Sequence, residues 1–308
     1  MNIIGGQGLN YGIYKSICEK HKAEYSENQA LSQYTSFKIG GSCPLLIKPN
    51  SVECLCELMS SFSENQSSYK IMGKGSNLLI SGKGIDCPVI VISSALGEMR
   101  FDSDTVICQS GLPLITLCNE AANRELSGLE FAYGIPGSVG GAVYMNAGAY
   151  GGEMRDIIVS CTYADEKGRL HQIQKEDMEL SYRHSFFSGK PYIITDVTLK
   201  LQKGDKKSIT EKMQELMNKR REKQPLEYAS AGSTFKRPEG DFAGRLIEAA
   251  GMKGFAVGAA QVSEKHCGFV INKGNAAFDD VVSVINAVKE KVKETSGRDL
   301  ECEVIIWE

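Results

Sequence analysis

GLEFAYGIPGSVGGAVYMNAGAYGG, residues 128–152, is the stretch on which the fold of this chain turns. It holds eight glycines, yet also Phe131, Tyr133, Ile135, Val139, Val143, Tyr144 and Met145. A flexible linker would combine Gly with Ser and carry no large apolar residues. Here bulky side chains can anchor the loop while glycines reach positive φ or let backbone approach a ligand. Successive N–H groups freed in such turns make a concave donor array suited to a phosphate or pyrophosphate. Taken alone, the segment leaves two readings open: a purely structural crossing of turns, or an anion cradle.

A second segment tips that balance. Met72-Gly-Lys-Gly-Ser-Asn-Leu-Leu-Ile80 places Gly73, Gly75, Ser76 and Asn77 between apolar runs. It is not a dinucleotide fingerprint, because G-x-G-x-x-G needs a glycine where Leu78 stands. No G-x-x-x-x-G-K-[ST] loop occurs either. Two glycine-rich cradles without either standard motif point to a large diphosphate cofactor held in another way.

Thr35–Gly41 (TSFKIGG), Gly73–Leu79 (GKGSNLL), Gly134–Gly141 (GIPGSVGG) and Gly148–Gly152 resemble the UDP-N-acetylenolpyruvoylglucosamine reductase family. Similar motifs follow in the same order and spacing from about Ser32 to about Val304. That family's flavoenzymes act in cell-wall precursor synthesis and share a vanillyl-alcohol-oxidase-type (PCMH-type) FAD domain. The resemblance implies that FAD is held without a covalent bond by Thr35, Ser36, Gly73, Lys74, Gly75, Ser76, Asn77, Leu78, Gly137, Ser138, Val139, Gly140, Gly141, Asn146 and Gly148. Some other enzymes of the FAD group, oxidases of alcohols or lactones, bond the flavin to His or Cys. Here His21, His171, His184 and His266 all lie outside the cradles.

Bulk properties set limits. A chain of 308 residues that is 42% hydrophobic can bury a large core and fill two or three domains. The net charge of -3, with both signs mixed along the chain, gives no footprint for nucleic acid or a membrane surface. No window approaches the ~18 consecutive apolar residues of a membrane span. Met1–Gly8 lacks the features of a signal peptide, so a cytoplasmic protein is expected. The ten cysteines show no C-x-x-C and no zinc spacing, which reads as reduced, buried thiols and no metal site.

The element pattern is α+β without regular βαβ alternation. Residues 1–31 read as a lead-in with a weak helical pattern at Ile13, Ile17 and Cys18. Ser51 reads as an N-cap and Pro113 as a first helical residue. Residues 157–164 and 170–173 form a hairpin, and residues 192–201 alternate as a strand. A charged joint at residues 203–207 marks the expected boundary. It separates a two-part FAD-binding domain, 32–203, from a smaller α+β substrate-binding domain, 204–308. There, Ser208–Glu211 reads as a capping box, further helices cover 242–250 and 280–294, and a strand covers 301–307.

Three residues carry the expected chemistry. Arg183, in Ser181-Tyr-Arg-His-Ser-Phe-Phe187, resembles the family's Y-R-x-S-x-F arginine; its guanidinium stays protonated and can grip a carboxylate with two prongs. Ser233, in Gly232-Ser-Thr-Phe-Lys236, corresponds to the family's proton donor, and Lys236 is the cation expected to favour its alkoxide. Glu303, in Leu300-Glu-Cys-Glu-Val304, would share a strand face with Ile305 and Trp307, where desolvation raises a carboxyl pKa. Tyr182, Lys236, Gln261 and His266 are candidate substrate contacts. The direct run from Tyr182 to Ser233 fits the family's shorter variant. The resemblance implies NADPH-dependent, FAD-mediated reduction of UDP-N-acetylglucosamine enolpyruvate to UDP-N-acetylmuramate by a monomer.

Overall fold

A computed structural model of the chain describes residues 11–308; Met1–Gly8 lies outside the described residues. The first layer is a four-stranded sheet in the order Glu24–Ala30, Ser42–Lys48, Val89–Val91, Lys70–Met72. Its first pair is antiparallel and the others parallel. Parallel strands need both faces covered. Helices Gly12–His21 and Val52–Glu64 supply Ile17, Leu55, Leu58 and Phe62 to one face. Leu31, Met72, Ile80 and Trp307 fill the other. Ser51 caps the second helix, its hydroxyl accepting from Cys54 N–H at 3.1 Å.

The described part of the lead-in, from residue 11, forms a helix and an edge strand. Glu24–Ala30 (EYSENQA) has no alternating apolar face because, among the described residues, it pairs on one side with Ser42–Lys48 and none of its seven residues is fully buried.

The second layer is an antiparallel sheet, Leu170–Gln174, Ile158–Ala164, Ile193–Lys200, Thr105–Gln109, Met99–Asp102. Helices Leu114–Asn123 and Lys206–Lys223 pack on its core through Leu117, Ala121, Ile209 and Met213. Pro113 is the N-cap rather than the first helical residue. Lys206–Lys223 starts before the expected capping box: Asp205 caps it, accepting from Ser208 N–H at 2.8 Å. The helix therefore follows the expected 203/204 boundary in sequence but packs on the core that precedes it. Gly168, at φ +74°, sits at the hairpin tip where a Cβ would come 2.1 Å from the Cys56 carbonyl, so the tip docks on the first layer's helix.

The third unit is a sheet, Ala256–Val257, Ala260–Val262, Val270–Asn272, covered by helices Ala243–Ala249 and Phe278–Ser296. The chain then returns to the first layer, where Ile305–Trp307 runs parallel to Leu78–Ile80. The expected strand from 301 is shorter: Cys302 makes only an isolated bridge with Phe235. Among the described residues no helix is long and apolar enough to cross a membrane. The ten cysteines are free thiols, seven of them buried, and burial pushes Cys108 and Cys118 up to about 12.

Candidate active site

The two glycine-rich segments face each other. Gly75 adopts φ +61°, and a Cβ there would stand 2.0 Å from the Tyr34 carbonyl, so only glycine closes this turn. A Cβ on Gly73 would reach within 2.8 Å of Ser138 Oγ on the opposite segment. Across the gap, Gly140 N–H donates to the Ser110 carbonyl at 2.8 Å, and a Cβ on Gly140 would overlap Ser110 Cβ at 2.6 Å.

Between them lies a cavity of about 790 Å³, within the range of cofactor sites. Gly73, Lys74, Gly75, Ser76, Asn77, Leu78, Gly137, Ser138, Gly140, Gly141 and Gly148 all line it. Thr35, Ser36, Val139 and Asn146 do not; they brace it. Thr35 Oγ1 donates to the Ile39 carbonyl at 3.0 Å, and Ser36 N–H to that of Gly75 at 3.1 Å. Val139 is fully buried, with its N–H on the Leu112 carbonyl at 2.9 Å.

Three buried polar atoms have no hydrogen-bond partner among the described residues: Ser110 Oγ, Arg220 Nε and Gln224 Oε1. All three residues line this same cavity. Buried polar atoms are rarely left unpaired without a missing partner. Glycine-lined backbone, apolar walls such as Ile135 and Leu114, and waiting polar atoms together fit an aromatic diphosphate cofactor.

A second cavity of about 660 Å³ opens between residues 148–153, 233–237, 243–248 and 264–268. The two cavities share Gly148, Ala149, Arg183, Ser233 and Glu303. All three expected catalytic residues therefore stand where a cofactor cavity meets a solvent-side cavity.

Each is held by backbone from a different part of the chain. Arg183 adopts φ 55°, a strained conformation for a residue with Cβ, in a tight turn closed by the Ser181–His184 bridge. Asn146, fully buried, fixes that turn: its Nδ2 donates to the Ser181 carbonyl and to Glu153 Oε2, both at 3.0 Å. Arg183 Nε lies 2.6 Å from Glu303 Oε1, and its guanidinium carbon 4.9 Å from the Tyr182 ring. The Thr234 carbonyl, next to Ser233, accepts from Glu303 N–H at 2.8 Å, which holds the serine and the carboxylate on adjacent segments beside the isolated Phe235–Cys302 bridge. Asn77 Nδ2 donates to the Glu303 carbonyl at 3.0 Å and ties this pair to the first cradle. Burial pushes the Glu303 carboxyl above its usual range, with Arg183 opposing that shift.

The remaining candidates fall elsewhere. Lys236 reaches Glu301 at 3.1 Å instead of lying along the cavities, so the cation lining them beside Ser233 is Arg183. Gln261 gives its amide to the Gly254 carbonyl at 3.0 Å and lines neither cavity. His266 lines the second cavity, its Nδ1 accepting from Gly268 N–H at 3.1 Å, and burial lowers its pKa. Tyr182 lines it too, its hydroxyl accepting from Arg237 N–H at 3.1 Å.

Sequence reasoning missed Arg237. Besides His266, four cations on this wall have carboxylate partners: Arg183 with Glu303, Arg245 with Asp241, Lys253 with Glu248, and Lys265 with Glu227. Arg237 has none among the described residues; its guanidinium lies 4.6 Å from the exposed Phe242 ring.

Comparisons with known proteins agree with this geometry. Residues 224–307 match the family described as UDP-N-acetylenolpyruvoylglucosamine reductase, C-terminal domain, and residues 44–174 match the family described as FAD binding domain. The chain is 47% identical over 285 residues to the UDP-N-acetylenolpyruvoylglucosamine reductase of Clostridium novyi (strain NT), covering 92% of each chain. It is 48% identical over 279 residues to that of Clostridium botulinum (strain 657 / Type Ba4), covering 91% of each. The crystal structure of UDP-N-acetylenolpyruvylglucosamine reductase from Thermus caldophilus superposes with a TM-score of 0.79 at 34% identity, covering 93% of this chain and 99% of that one.

Proposed function

The chain belongs to the UDP-N-acetylenolpyruvoylglucosamine reductase family, and from that premise we propose that the junction of its two cavities is where Arg183, Ser233 and Glu303 act. The reaction is the NADPH-dependent, FAD-mediated reduction of UDP-N-acetylglucosamine enolpyruvate to UDP-N-acetylmuramate, a step of peptidoglycan precursor synthesis. The observation that carries the site assignment is that these three side chains line both cavities at once.

The residues divide the work. The backbone of 73–78 and 137–141 supplies N–H groups for the cofactor diphosphate. FAD held by these segments would supply the redox chemistry, taking up hydride from NADPH and making it available to the vinyl terminus of the enolpyruvyl group. The carbon beside the carboxylate then becomes negatively charged. Arg183, protonated at any working pH, turns its remaining donors to that carboxylate. Glu303, desolvated and hence more often protonated than a free carboxyl, donates to the same developing charge. The Ser233 hydroxyl delivers the proton to that carbon, completing addition of one hydride and one proton across the double bond. Arg183 stabilises the alkoxide left behind. On the outer wall, Arg237, which has no carboxylate partner among the described residues, holds the substrate diphosphate. Reaction in the cytosol by a monomer fits NADPH and a nucleotide sugar as substrates.

The test is spectroscopic. Purified protein is expected to be yellow, to bleach with NADPH in the absence of oxygen, and to regain colour when the enolpyruvyl sugar nucleotide is added. Protein that remains colourless after incubation with FAD sinks the assignment, as does bleached protein that the sugar nucleotide cannot reoxidise.

A further inference from the structure

The family resemblance places Ser36 among the cofactor contacts, yet it lines neither cavity. Its two polar groups reach two distant parts of the chain instead. The Ser36 N–H donates to the Gly75 carbonyl of the first cradle at 3.1 Å. Its Oγ donates to the Ser230 carbonyl at 2.6 Å, across 194 residues of sequence and three residues before Ser233. The turn around Ser36 is itself anchored. Phe37, 1% exposed, and Ile39 enter the core of the third unit beside Ala231 and Phe235. The Phe37 carbonyl accepts from Asn272 Nδ2 at 3.1 Å, and the Asn272 N–H donates to the Ala229 carbonyl at 2.9 Å. The turn is therefore a joint between the cradle and the segment that carries the Ser233 hydroxyl.

That segment is tied at both ends and open between them. Downstream, Thr234 N–H donates to the Gly268 carbonyl at 2.8 Å, and the Thr234 carbonyl accepts from Glu303 N–H at 2.8 Å. Upstream, the ties are Asn272 on Ala229 and Ser36 on Ser230. Between them Ala231, Gly232 and Ser233 line the cofactor cavity. Gly232, at φ +75°, has nothing within 4 Å of where a Cβ would stand, so no neighbouring side chain wedges the segment there. A reacting group displaced by about 1 Å can lose about 10²-fold in rate. The upstream anchor thus bears directly on where the proton donor points. We propose that Ser36 is a positioning residue for Ser233: by bridging Gly75 and Ser230 it fixes the hydroxyl relative to the cradle, without touching cofactor or substrate. This rests on the reading of Ser233 as the proton donor.

The experiment follows both half-reactions of the full-length holoenzyme by stopped flow, at saturating NADPH and saturating enolpyruvyl sugar nucleotide. Ser36→Ala keeps the N–H on Gly75 and removes the donor to Ser230. Bleaching by NADPH should stay within about twofold of wild type, while reoxidation slows about tenfold, the scale of one lost hydrogen bond. Ser36→Thr keeps a hydroxyl and should recover most of that rate; Ser36→Val, of the same shape without a donor, should not. Added to Ser233→Ala, Ser36→Ala should slow reoxidation no further, because the hydroxyl it places is already gone. Unchanged reoxidation in Ser36→Ala, equal slowing of both phases, a Thr variant no faster than Val, or additive losses in the double variant would each overturn the proposal. So would loss of FAD from the Ala and Val variants with retention by Thr, since Ser36 would then serve cofactor retention. If Ser233→Ala alone fails to slow reoxidation selectively, the proton-donor reading falls, and the role of Ser36 with it; if only the Ser36 variants fail, that reading stands.

Discussion

Arg183 Nε and Glu303 Oε1 stand 2.6 Å apart across 120 residues of chain, at the seam between two cavities. The arginine is 19% exposed and the glutamate 12%, so neither charge is fully hydrated. For such a pair the attraction roughly offsets the desolvation, and removing one member costs far more than the pair contributes. The arrangement is therefore better understood through chemistry than through stability. A carboxyl held next to a cation yet still raised above its usual pKa is poised to carry a proton beside a fixed positive charge.

The first prediction concerns pH. Because the folded pKa of Glu303 lies above its unfolded value, its protonated form is complete at low pH and declines as pH rises through the raised value. Stopped-flow reoxidation of reduced enzyme by the enolpyruvyl substrate should slow on the alkaline side for that reason. Glu303→Gln should remove that alkaline limb and lower the rate by about 10²-fold or more. A variant that keeps the wild-type pH profile would take Glu303 out of the proton inventory.

The second concerns the fork of Arg183. One ammonium cannot occupy both the Glu303 carboxylate and a substrate carboxylate in the way that a guanidinium can. Arg183→Lys should lower kcat/KM for the sugar nucleotide by about 10²–10³-fold, in line with loss of a transition-state donor. Unchanged turnover by the lysine variant would show that Arg183 only braces the turn.

The third separates the half-reactions. Ser233→Ala should leave bleaching by NADPH nearly intact while slowing reoxidation by about 10²–10⁴-fold, the usual size of a positioned proton donor's effect. Equal slowing of both phases would mean that the hydroxyl shapes the cavity instead of moving the proton.

These sites were legible to different degrees, and the reasons are physical. Gly75 and Gly140 announced themselves because a tight turn at one and a close backbone approach at the other exclude Cβ and leave glycine in the sequence. Arg183, Ser233 and Glu303 were found through motif resemblance; nothing in the local chemistry of Gly232-Ser-Thr sets it apart from an ordinary turn. Arg220 was missed although its signal was present, since the spacing 209, 213, 216, 220 places it on the buried stripe. Its neighbours Lys219 and Arg221 made the run look uniformly solvated. The Glu24–Ala30 strand had no signal, as an edge strand with polar residues on both faces shows no alternation. Ser208 looked like a cap, but Asp205 lies three residues earlier and accepts its N–H. Glu303 was expected on a regular strand, whereas the bridge at Cys302 and the Asn77 side chain hold that segment instead.

A fourth prediction tests the first cradle. Gly75→Ala places a methyl 2.0 Å from the Tyr34 carbonyl at φ +61°, where backbone must shift. The substitution should destabilise the fold by about 1–3 kcal/mol and weaken FAD retention. Thermal melts with and without added FAD read both effects. Gly151→Ala, also at positive φ but with nothing within 4 Å, controls for conformational strain alone. If the two variants lose FAD equally, close approach at residue 75 is not what shapes the cradle.

The fifth concerns how the two layers of the FAD-binding part stay in register. Asp165, 4% exposed at the hairpin tip, accepts from the N–H groups of Lys167 and Arg169, both at 2.9 Å, and its other oxygen meets Arg169 Nε at 2.8 Å and His171 Nε2 at 2.9 Å. Burial alone would raise this carboxyl, yet the hydrogen bonds from Arg169 and His171 and the two N–H groups hold it well below the usual range. With the folded pKa below the unfolded one, its stabilisation is complete above the ordinary Asp value of ~3.9 and is lost as pH falls through the depressed value. Asp165→Asn keeps one acceptor oxygen but not the charge, and should cost about 1–3 kcal/mol at neutral pH. Because the tip docks on Val52–Glu64 through Gly168, the loss should also loosen the gap between the layers and weaken FAD binding. Urea titrations at neutral pH and well below the ordinary Asp value would show the difference between wild type and variant shrinking in acid. A difference that stays constant with pH would mean that the carboxylate's charge contributes nothing to holding the hairpin.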